Sequence, residues 1–412
     1  MNWFRLICVS VVLAVIPTFA SAQTQTPPDK PKEAEKPKEA EKPKEPEEPK
    51  MEVSGFVDLY FSVNTKPTKP AAVVGGAGST TVKVENTLRN FDFRDRTISL
   101  NLAEVVIEKK IGKKSPLGFR VDLDAGPATD WVHLAEPGGT DTWRFFQQAY
   151  VSWAPFRKSA EDDVYAKGIV VDFGKFVTWN GAEVIETKDN ANYSRGLLFA
   201  WAIPYYHTGV RITDRFSAKH AVQLFAVQGW NNVADNNGNK TFGLSYNWTP
   251  SAKWNFVQNF TTGKEPNGAA PFTHNAPSGV RDLYDTVITY TANEKTAFTL
   301  NVDYGRQGGG DTGAPAARWY GVAGYVKRQL SPKTSATIRG EVFRDHNGFN
   351  MPLPPGNTGQ TAKEVTGTFE FRSLKNLMHR LEVRHDWTTA PTFGSFTKAN
   401  QKIGRASCRE RV

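Results

Sequence analysis

The feature that most constrains how this chain folds is an alternation of apolar and polar side chains with a period of two residues. In residues 53–64 the odd positions are apolar or glycine, and Asp58, Ser62 and Asn64 lie among the even positions. The alternation returns in residues 298–304 and 378–387. Because successive side chains of a strand point to opposite faces of a sheet, this period predicts half-buried β-strands.

The connections between the predicted strands alternate in length. The short turns fall at residues 110–116, 213–219, 249–252, 292–295, 330–333 and 373–377, with a somewhat longer one at 155–166. The long polar loops fall at residues 65–96, 126–144, 177–203, 231–239, 263–279, 306–316, 346–362 and 388–398. A transmembrane barrel has short periplasmic turns and long extracellular loops. The pattern therefore predicts an all-β, antiparallel, up-and-down transmembrane barrel.

The number of strands that the pattern predicts is odd. Fifteen strands centre near Val57, Leu102, Val121, Ala149, Val171, Gly209, Leu224, Leu244, Val257, Thr286, Leu300, Val322, Ile338, Phe369 and Val383. Bacterial single-chain barrels have an even number of strands, so we expect a barrel of about 16 strands. The last strand is then expected to be missing from this sequence, which would leave residues 51–402 as a truncated barrel.

Both ends of the chain differ from the middle. Residues 1–22 combine Arg5, an apolar stretch and a final Ala-Ser-Ala, which predicts a secretory signal peptide. Residues 23–50 repeat KPKEAE and are interpreted as a disordered periplasmic spacer, with peptidoglycan contact as the alternative. Residues 403–412 (IGRASCRERV) resemble the translation of a sequencing-library adapter and are interpreted as non-native.

A barrel of this size predicts a polar interior. About sixteen strands enclose a space that side chains cannot fill, and an aqueous channel remains. A charge on the lipid face costs about 2–4 kcal/mol near the membrane midplane, so charged strand residues are expected to face the lumen. The candidate lumen charges are Arg120, Asp122, Arg211, Arg339, Glu341, Arg380, Glu382 and Arg384.

Several stretches carry longer motifs than the strand pattern requires. They are residues 55–64 (GFVDLYFSVN), 99–110 (SLNLAEVVIEKK), 118–123 (GFRVDL), 130–133 (DWVH), 147–153 (QQAYVSW), 172–213 (DFGKFVTWNGAEVIETKDNANYSRGLLFAWAIPYYHTGVRIT) and 228–243 (QGWNNVADNNGNKTFG). With these stretches the chain resembles the β-barrel porin-2 (OmpL-like) family of outer-membrane porins over most of residues 52–402. The resemblance implies an outer-membrane barrel with a pore function. The spacer and the missing end depart from the family's pattern.

The longest of these stretches contains the loop at residues 177–203. In general porins one loop folds into the barrel and narrows it, and acids on such a loop opposite basic wall residues create a transverse field. We expect Glu183, Glu186, Asp189 and Arg195 to act in this way, opposite Arg120, Arg211, Arg339 and Arg380. An ordinary outward loop is the alternative. The aromatic residues Trp179, Trp201, Tyr205 and Tyr206 are expected either to line a path for sugars or to belong to the interfacial aromatic girdles.

Other functions find less support in the sequence. The seven histidines form no metal-binding spacing, no Gly-x-Ser-x-Gly motif occurs, and no catalytic residue, metal or cofactor is expected. The chain has a net charge of +9, but its basic residues are scattered along the sequence, which disfavours nucleic acid as a partner. We expect passive diffusion of small hydrophilic solutes or ions across the outer membrane. Outer-membrane lipids are expected partners, and a homotrimer stays open. The alternatives are a barrel-type lipid hydrolase and a non-conducting adhesion or structural barrel.

Overall fold

The computed structural model describes residues 49–65, 71–74, 81–112, 115–134, 136, 143–156, 167–266, 278–310, 315–354, 356–393 and 400–411. The predicted signal peptide lies outside these residues. All of the predicted spacer except its last two residues also lies outside them.

The described part of the chain is built from strands, two short α-helices and two 3-10 helices (Trp143–Phe145 and Thr187–Asp189). The strands are β1 (Glu52–Asn64), β2 (Ala71–Val74), β3 (Thr81–Val84), β4 (Ile98–Lys109), β5 (Leu117–Ala125), β6 (Phe146–Trp153), β7 (Gly168–Val177), β8 (Tyr206–Ser217), β9 (His220–Val227), β10 (Thr241–Ser251), β11 (Trp254–Pro266), β12 (Ser278–Asn293), β13 (Thr296–Gln307), β14 (Ala317–Ser331), β15 (Thr334–Asp345), β16 (Gln360–Leu374), β17 (Leu377–Thr388) and β18 (Asn400–Arg411). The α-helices are α1 (Pro127–Val132) and α2 (Leu197–Trp201). None of the described helices is long and apolar enough to cross a membrane.

Strand β1 and strands β4–β18 form one closed, antiparallel barrel in which each strand pairs with the next barrel strand along the chain and β18 pairs with β1. Strands β2 and β3 form a separate hairpin within the long connection between β1 and β4. All fifteen predicted strand centres lie inside barrel strands, and the long connections alternate with the short turns. The prediction of an all-β, antiparallel, up-and-down barrel is confirmed.

The sequence predicted that the sixteenth strand would be missing, but the described barrel contains a sixteenth strand, β18. Strand β18 pairs with β17 from Asn400 to Glu410 and with β1 from Ile403 to Arg411, so the barrel closes within this chain. The edges of β1 and β17 offer rows of unpaired N–H and C=O groups, and an extended segment of any sequence can satisfy them through its main chain. The ladder therefore carries no information about the origin of residues 403–412, whose non-native character stays a prediction.

The two faces of the barrel wall differ as the alternation predicts. On β1, Phe61 is exposed on the outer face, while Asp58 and Ser62 are buried on the inner face. Trp248 and Tyr304 lie exposed at strand ends, as aromatic residues at a membrane interface do. Trp230, in the connection after β9, is instead buried and packs edge-on against Trp319.

An apolar cluster lies among the long loops and the inward-facing parts of the strands. It gathers the segment before β4, helices α1 and α2, and inward residues of the later strands, including Phe91, Trp131, Phe199, Tyr205 and Trp319. The ring of Phe91 lies 5.9 Å from that of Phe199 and 5.7 Å from that of Tyr205. Apolar burial of this kind favours loops that pack together instead of extending into solvent.

Candidate functional site

The connection between β7 and β8, residues 178–205, is held against the inner side of the barrel wall, and we refer to it as the inner loop. All five residues of its helix α2 are buried. Near its start, the Nδ2 group of Asn259 on β11 donates to the carbonyl oxygen of Trp179 over 3.0 Å. The N–H of Ala182 donates to Oδ1 of Asn301 on β13 over 3.1 Å. The inner loop contains residues 178–203 of the predicted constriction loop.

Arg339 on β15 is the central anchor of the inner loop. Its fully buried guanidinium donates to Oε1 of Glu183 over 2.7 Å and to the carbonyl oxygen of Ser194 over 2.6 Å. On the wall itself it donates to Oε1 of Glu364 over 2.8 Å. Because one rigid guanidinium binds the loop and the next strand at once, the position of the loop is tied to the barrel register.

Two further arginines on β17 bind the main chain of the inner loop. Arg380 donates to the carbonyl oxygens of Thr187 and Asn190 over 2.7 and 2.6 Å. Arg384 donates to the carbonyl oxygen of Arg195 over 2.8 Å. An irregular loop inside a barrel leaves main-chain carbonyls without secondary-structure partners, and these guanidinium groups supply the missing donors.

Acidic wall residues bind the main-chain donors of the same loop. Glu382 accepts hydrogen bonds from the N–H groups of Tyr193 and Ser194 over 2.7 and 3.1 Å. Glu341 accepts one from the N–H of Leu197. Five of the eight charges that the sequence placed in the lumen are thus brought together here, where they hold the inner loop: Arg339, Glu341, Arg380, Glu382 and Arg384.

The four predicted loop residues differ in what they contact. Glu183 pairs with Arg339, and Glu186 accepts a hydrogen bond from Gln147 on β6. Asp189 keeps a side chain that is 55% exposed and pairs with its neighbour Lys188. Arg195 is buried over the ring of Phe91, at 4.2 Å from its centroid, and burial lowers the pKa of its guanidinium.

The two remaining predicted arginines lie on the other side of the barrel interior. Arg120 on β5 pairs with Asp122, and Arg211 on β8 pairs with Asp172, each over 2.8 Å. Their side chains stay 30% and 19% exposed, unlike the buried anchors. They line a cavity of about 250 Å³. Among the predicted pairings of loop acids with wall arginines, the structure brings together Glu183 and Arg339, whereas Arg120 and Arg211 pair with wall acids.

The aromatic residues that the sequence offered as a sugar path lie elsewhere. Trp201, Tyr205 and Tyr206 are buried in the apolar cluster. Trp179 stacks on Phe225 and His207, with ring centroids 3.6 and 4.3 Å apart. These rings pack the inner loop and the segment after it against the wall.

The loop between β5 and β6 carries titratable groups with perturbed pKa values. Burial, and after it the positive charge of Lys175, lower the pKa of His133 well below its usual value. Burial raises the pKa of Glu136, which accepts hydrogen bonds from the Tyr206 hydroxyl over 2.6 Å and from the Val233 N–H over 2.9 Å. Both groups help to pack this loop against β7, β8 and the loop after β9.

Several residues of the site were not predicted from the sequence. Asn192, Tyr193 and Ser194 bind wall residues, and Glu104 lies beside Asp122 and Glu186. The residues of the inner loop lie in the stretch 172–213 that carries the resemblance, which was the available signal. Nothing in the sequence distinguishes Glu104 from other strand carboxylates, because its partners come from other parts of the chain.

Residues 50–407 match the family model described as "Putative beta-barrel porin-2, OmpL-like". A search of curated proteins found no match. Among solved structures, OmpT of Vibrio cholerae (in-vitro folded, trimer form) has a TM-score of 0.57 and 10% identity, covering 88% of this chain and 99% of that one. The channel DcaP of Acinetobacter baumannii has a TM-score of 0.54 and 10% identity, covering 88% and 97%.

A third solved structure, an anion-selective porin from Comamonas acidovorans, has a TM-score of 0.53 and 8% identity, covering 88% and 99%. At these identities the solved structures establish the fold alone. The family match spans nearly the whole barrel and ends inside the closing strand. The chain therefore belongs to the OmpL-like porin-2 family, and it is a β-barrel channel of the outer membrane and not an enzyme.

Proposed function

We propose that the chain lets small hydrophilic solutes or ions diffuse passively through a lumen that the inner loop narrows. The observation that carries the proposal is the anchoring of the loop by three buried arginines, Arg339, Arg380 and Arg384. A loop held by charge-assisted hydrogen bonds in a water-poor interior stays in place, because breaking them leaves buried charges without partners. The loop then sets the width of the path.

We further propose that Arg120 and Arg211 are the charges that a passing ion meets. Glu183 and Glu186 are buried against Arg339 and Gln147, so they support the loop more than they face water. Arg120 and Arg211 are partly exposed at the cavity, whose lining also contains Lys109, among other charged residues of both signs. Positive charge in a water-filled lumen with a low-dielectric wall raises the local concentration of anions. A mild preference for anions follows.

Reversal potentials in a planar bilayer under a salt gradient test this proposal. The double variant Arg120→Gln/Arg211→Gln should shift the reversal potential toward cation preference. The matched control is Arg318→Gln/Arg328→Gln, which removes two exposed charges from β14. An unchanged reversal potential in the first variant, with normal conductance, would contradict the assignment of these two arginines.

For assembly, we propose a homotrimer embedded in outer-membrane lipid, with the spacer 23–50 as a solvated periplasmic leader. One structural neighbour is described in a trimer form, which supports the proposed trimer. Mass measurement of the detergent-solubilised chain, before and after heating, tests it. A trimeric mass that falls to the monomer on heating supports the proposal, and a monomer throughout contradicts it.

Pull-down with purified peptidoglycan distinguishes a spacer that binds peptidoglycan from one that is only solvated.

A further inference from the structure

Three carboxylates converge inside the barrel between the β4–β5 wall and the inner loop, and a fourth lies next to them. Glu104, Asp122 and Glu186 each offer an oxygen, and these oxygens lie within 4.8 Å of one another. Asp124 adjoins them, because it stands directly opposite Glu104 in the β4–β5 ladder. Opposite residues on one face of such a ladder have Cβ atoms about 4.5–5.5 Å apart. Like charges at that spacing repel, so a bound cation would stabilise the group.

Two of these side chains have an oxygen that no described group satisfies. Glu104 and Asp124 are each only 4% exposed. Within the part of the chain that the structure describes, Oε2 of Glu104 and Oδ1 of Asp124 accept no hydrogen bond. A buried polar atom without a partner costs about 1–3 kcal/mol, and more when it is charged. Two such atoms on directly opposed residues indicate a ligand between the strands and the loop.

The nearby protein cations are already engaged elsewhere. Arg120 donates to both oxygens of Asp122, over 2.8 and 3.1 Å. Lys188 pairs with Asp189. Lys175 donates to the carbonyl oxygens of Trp143 and Phe146 over 3.2 and 2.6 Å. These cations moderate the local negative charge, but within the described residues none of them binds Glu104 or Asp124 directly.

We propose that this group binds one Ca²⁺ ion, with Glu104, Asp122 and Glu186 as carboxylate ligands and with Asp124 beside them. Ca²⁺ accepts 6–8 oxygen ligands in irregular arrangements, whereas Mg²⁺ demands a near-ideal octahedron and usually keeps several waters. A buried group of four protein carboxylates, with little access for water, therefore suits Ca²⁺ better.

The proposed ion gives the inner loop a second attachment. The arginines of β15 and β17 bind the loop at residues on both sides of Glu186, including Glu183 and Thr187, while Glu186 itself would reach the ion on β4 and β5. Since β1 and β18 separate β17 from β4 in the barrel, the two attachments lie on different parts of the wall. Removal of Ca²⁺ should then loosen the part of the loop around Glu186 without releasing Arg339 from Glu183.

Calorimetric titration of the full-length, detergent-folded chain with CaCl₂ after EDTA treatment tests the site. We expect one bound Ca²⁺ per chain, a higher unfolding temperature in CaCl₂, and weaker binding of MgCl₂. The variant Glu104→Gln/Asp124→Asn should lose this binding. It should nevertheless fold at least as well as the Ca²⁺-free wild type, because it removes repulsion between like charges. The control Asp285→Asn/Asp303→Asn removes two buried charges elsewhere in the lumen and should keep the binding.

Three results would overturn the proposal: a wild type that binds no Ca²⁺, a Glu104→Gln/Asp124→Asn variant that binds it unchanged, or a control variant that loses it. The readout is binding and thermal stability, so it does not depend on conduction. A chain that binds Ca²⁺ but passes no ions would refute the proposed function and keep this site, and the reverse result would do the opposite.

Discussion

At the scale of single residues, the inner loop depends on charge placed where water is scarce. Arg339 is fully buried and binds the loop carboxylate Glu183, the loop carbonyl of Ser194 and the wall carboxylate Glu364. A buried ion pair adds little net stability compared with an apolar replacement, but removing one partner is costly because the other charge stays behind. Arg339 therefore fixes the position of the inner loop more than it stabilises the folded protein.

Substituting Arg339 should release the inner loop while the barrel persists. We expect Arg339→Gln to weaken docking of the loop by about 3–5 kcal/mol, since Glu183 and Glu364 lose their buried partner. Hydrogen exchange of residues 183–197 should become faster, while exchange in β10–β13 should not change. Arg318→Gln, an exposed arginine on β14, is the control. Equal protection of the loop in Arg339→Gln and wild type would contradict this role.

His133 makes the loop after β5 sensitive to pH. Its ring packs in the interior with Nδ1 2.9 Å from the Thr129 carbonyl oxygen and Nε2 against the Lys175 ammonium, which requires the neutral form. The folded pKa is lowered, so its contribution to stability is present above the unfolded value of about 6.5 and is lost as pH falls. We expect protection of the Leu134 amide to decrease between about pH 7 and 5. The variant His133→Asn should flatten that profile, and the same slope in both proteins would show that another group titrates.

At the scale of elements, the barrel strands were predictable and the interior was not. Strands such as β13 and β17 can be predicted from the sequence, because the alternation of side chains with a period of two follows from local strand geometry alone. The packing of the inner loop, by contrast, joins residues far apart in the chain, such as Ser194 and Arg339, and no local pattern encodes that meeting. Strand β18 was not among the predicted strands, because residues 403–411 were interpreted as non-native and pair here through the main chain.

Glycines on β13 and β14 offer a matched test of the wall's packing. A Cβ at Gly305 would overlap the indole ring of Trp319 on the neighbouring strand, whereas Gly324 on β14 has nothing within 4 Å of that position. We expect Gly305→Ala to destabilise the barrel by about 1–3 kcal/mol, because a rigid buried ring must move. Gly324→Ala should be near neutral. Unfolding followed by the heat-dependent gel shift measures both, and similar transitions for the two variants would contradict the packing described here.

At the scale of the whole molecule, the structure divides its polar interior into two parts. One side, near β15–β17, is used to hold the inner loop through buried charges. The other, near β5–β8, keeps partly exposed arginines around a cavity. A barrel of sixteen strands is wide enough to need such a division, because its side chains alone do not fill it. In the proposed function, the inner loop makes the path narrower than the barrel.

The most direct test of this account is the single-channel conductance of the folded chain in a planar bilayer, compared with a variant in which residues 181–202 are replaced by a short glycine linker. Because the N–H of Thr178 donates to the carbonyl oxygen of Tyr205 over 2.9 Å, the ends of the loop are close enough to be joined. We expect discrete steps for the wild type and clearly larger steps for the variant, with the gel shift of a folded barrel in both. Equal steps in the two proteins, or no steps in either, would contradict it.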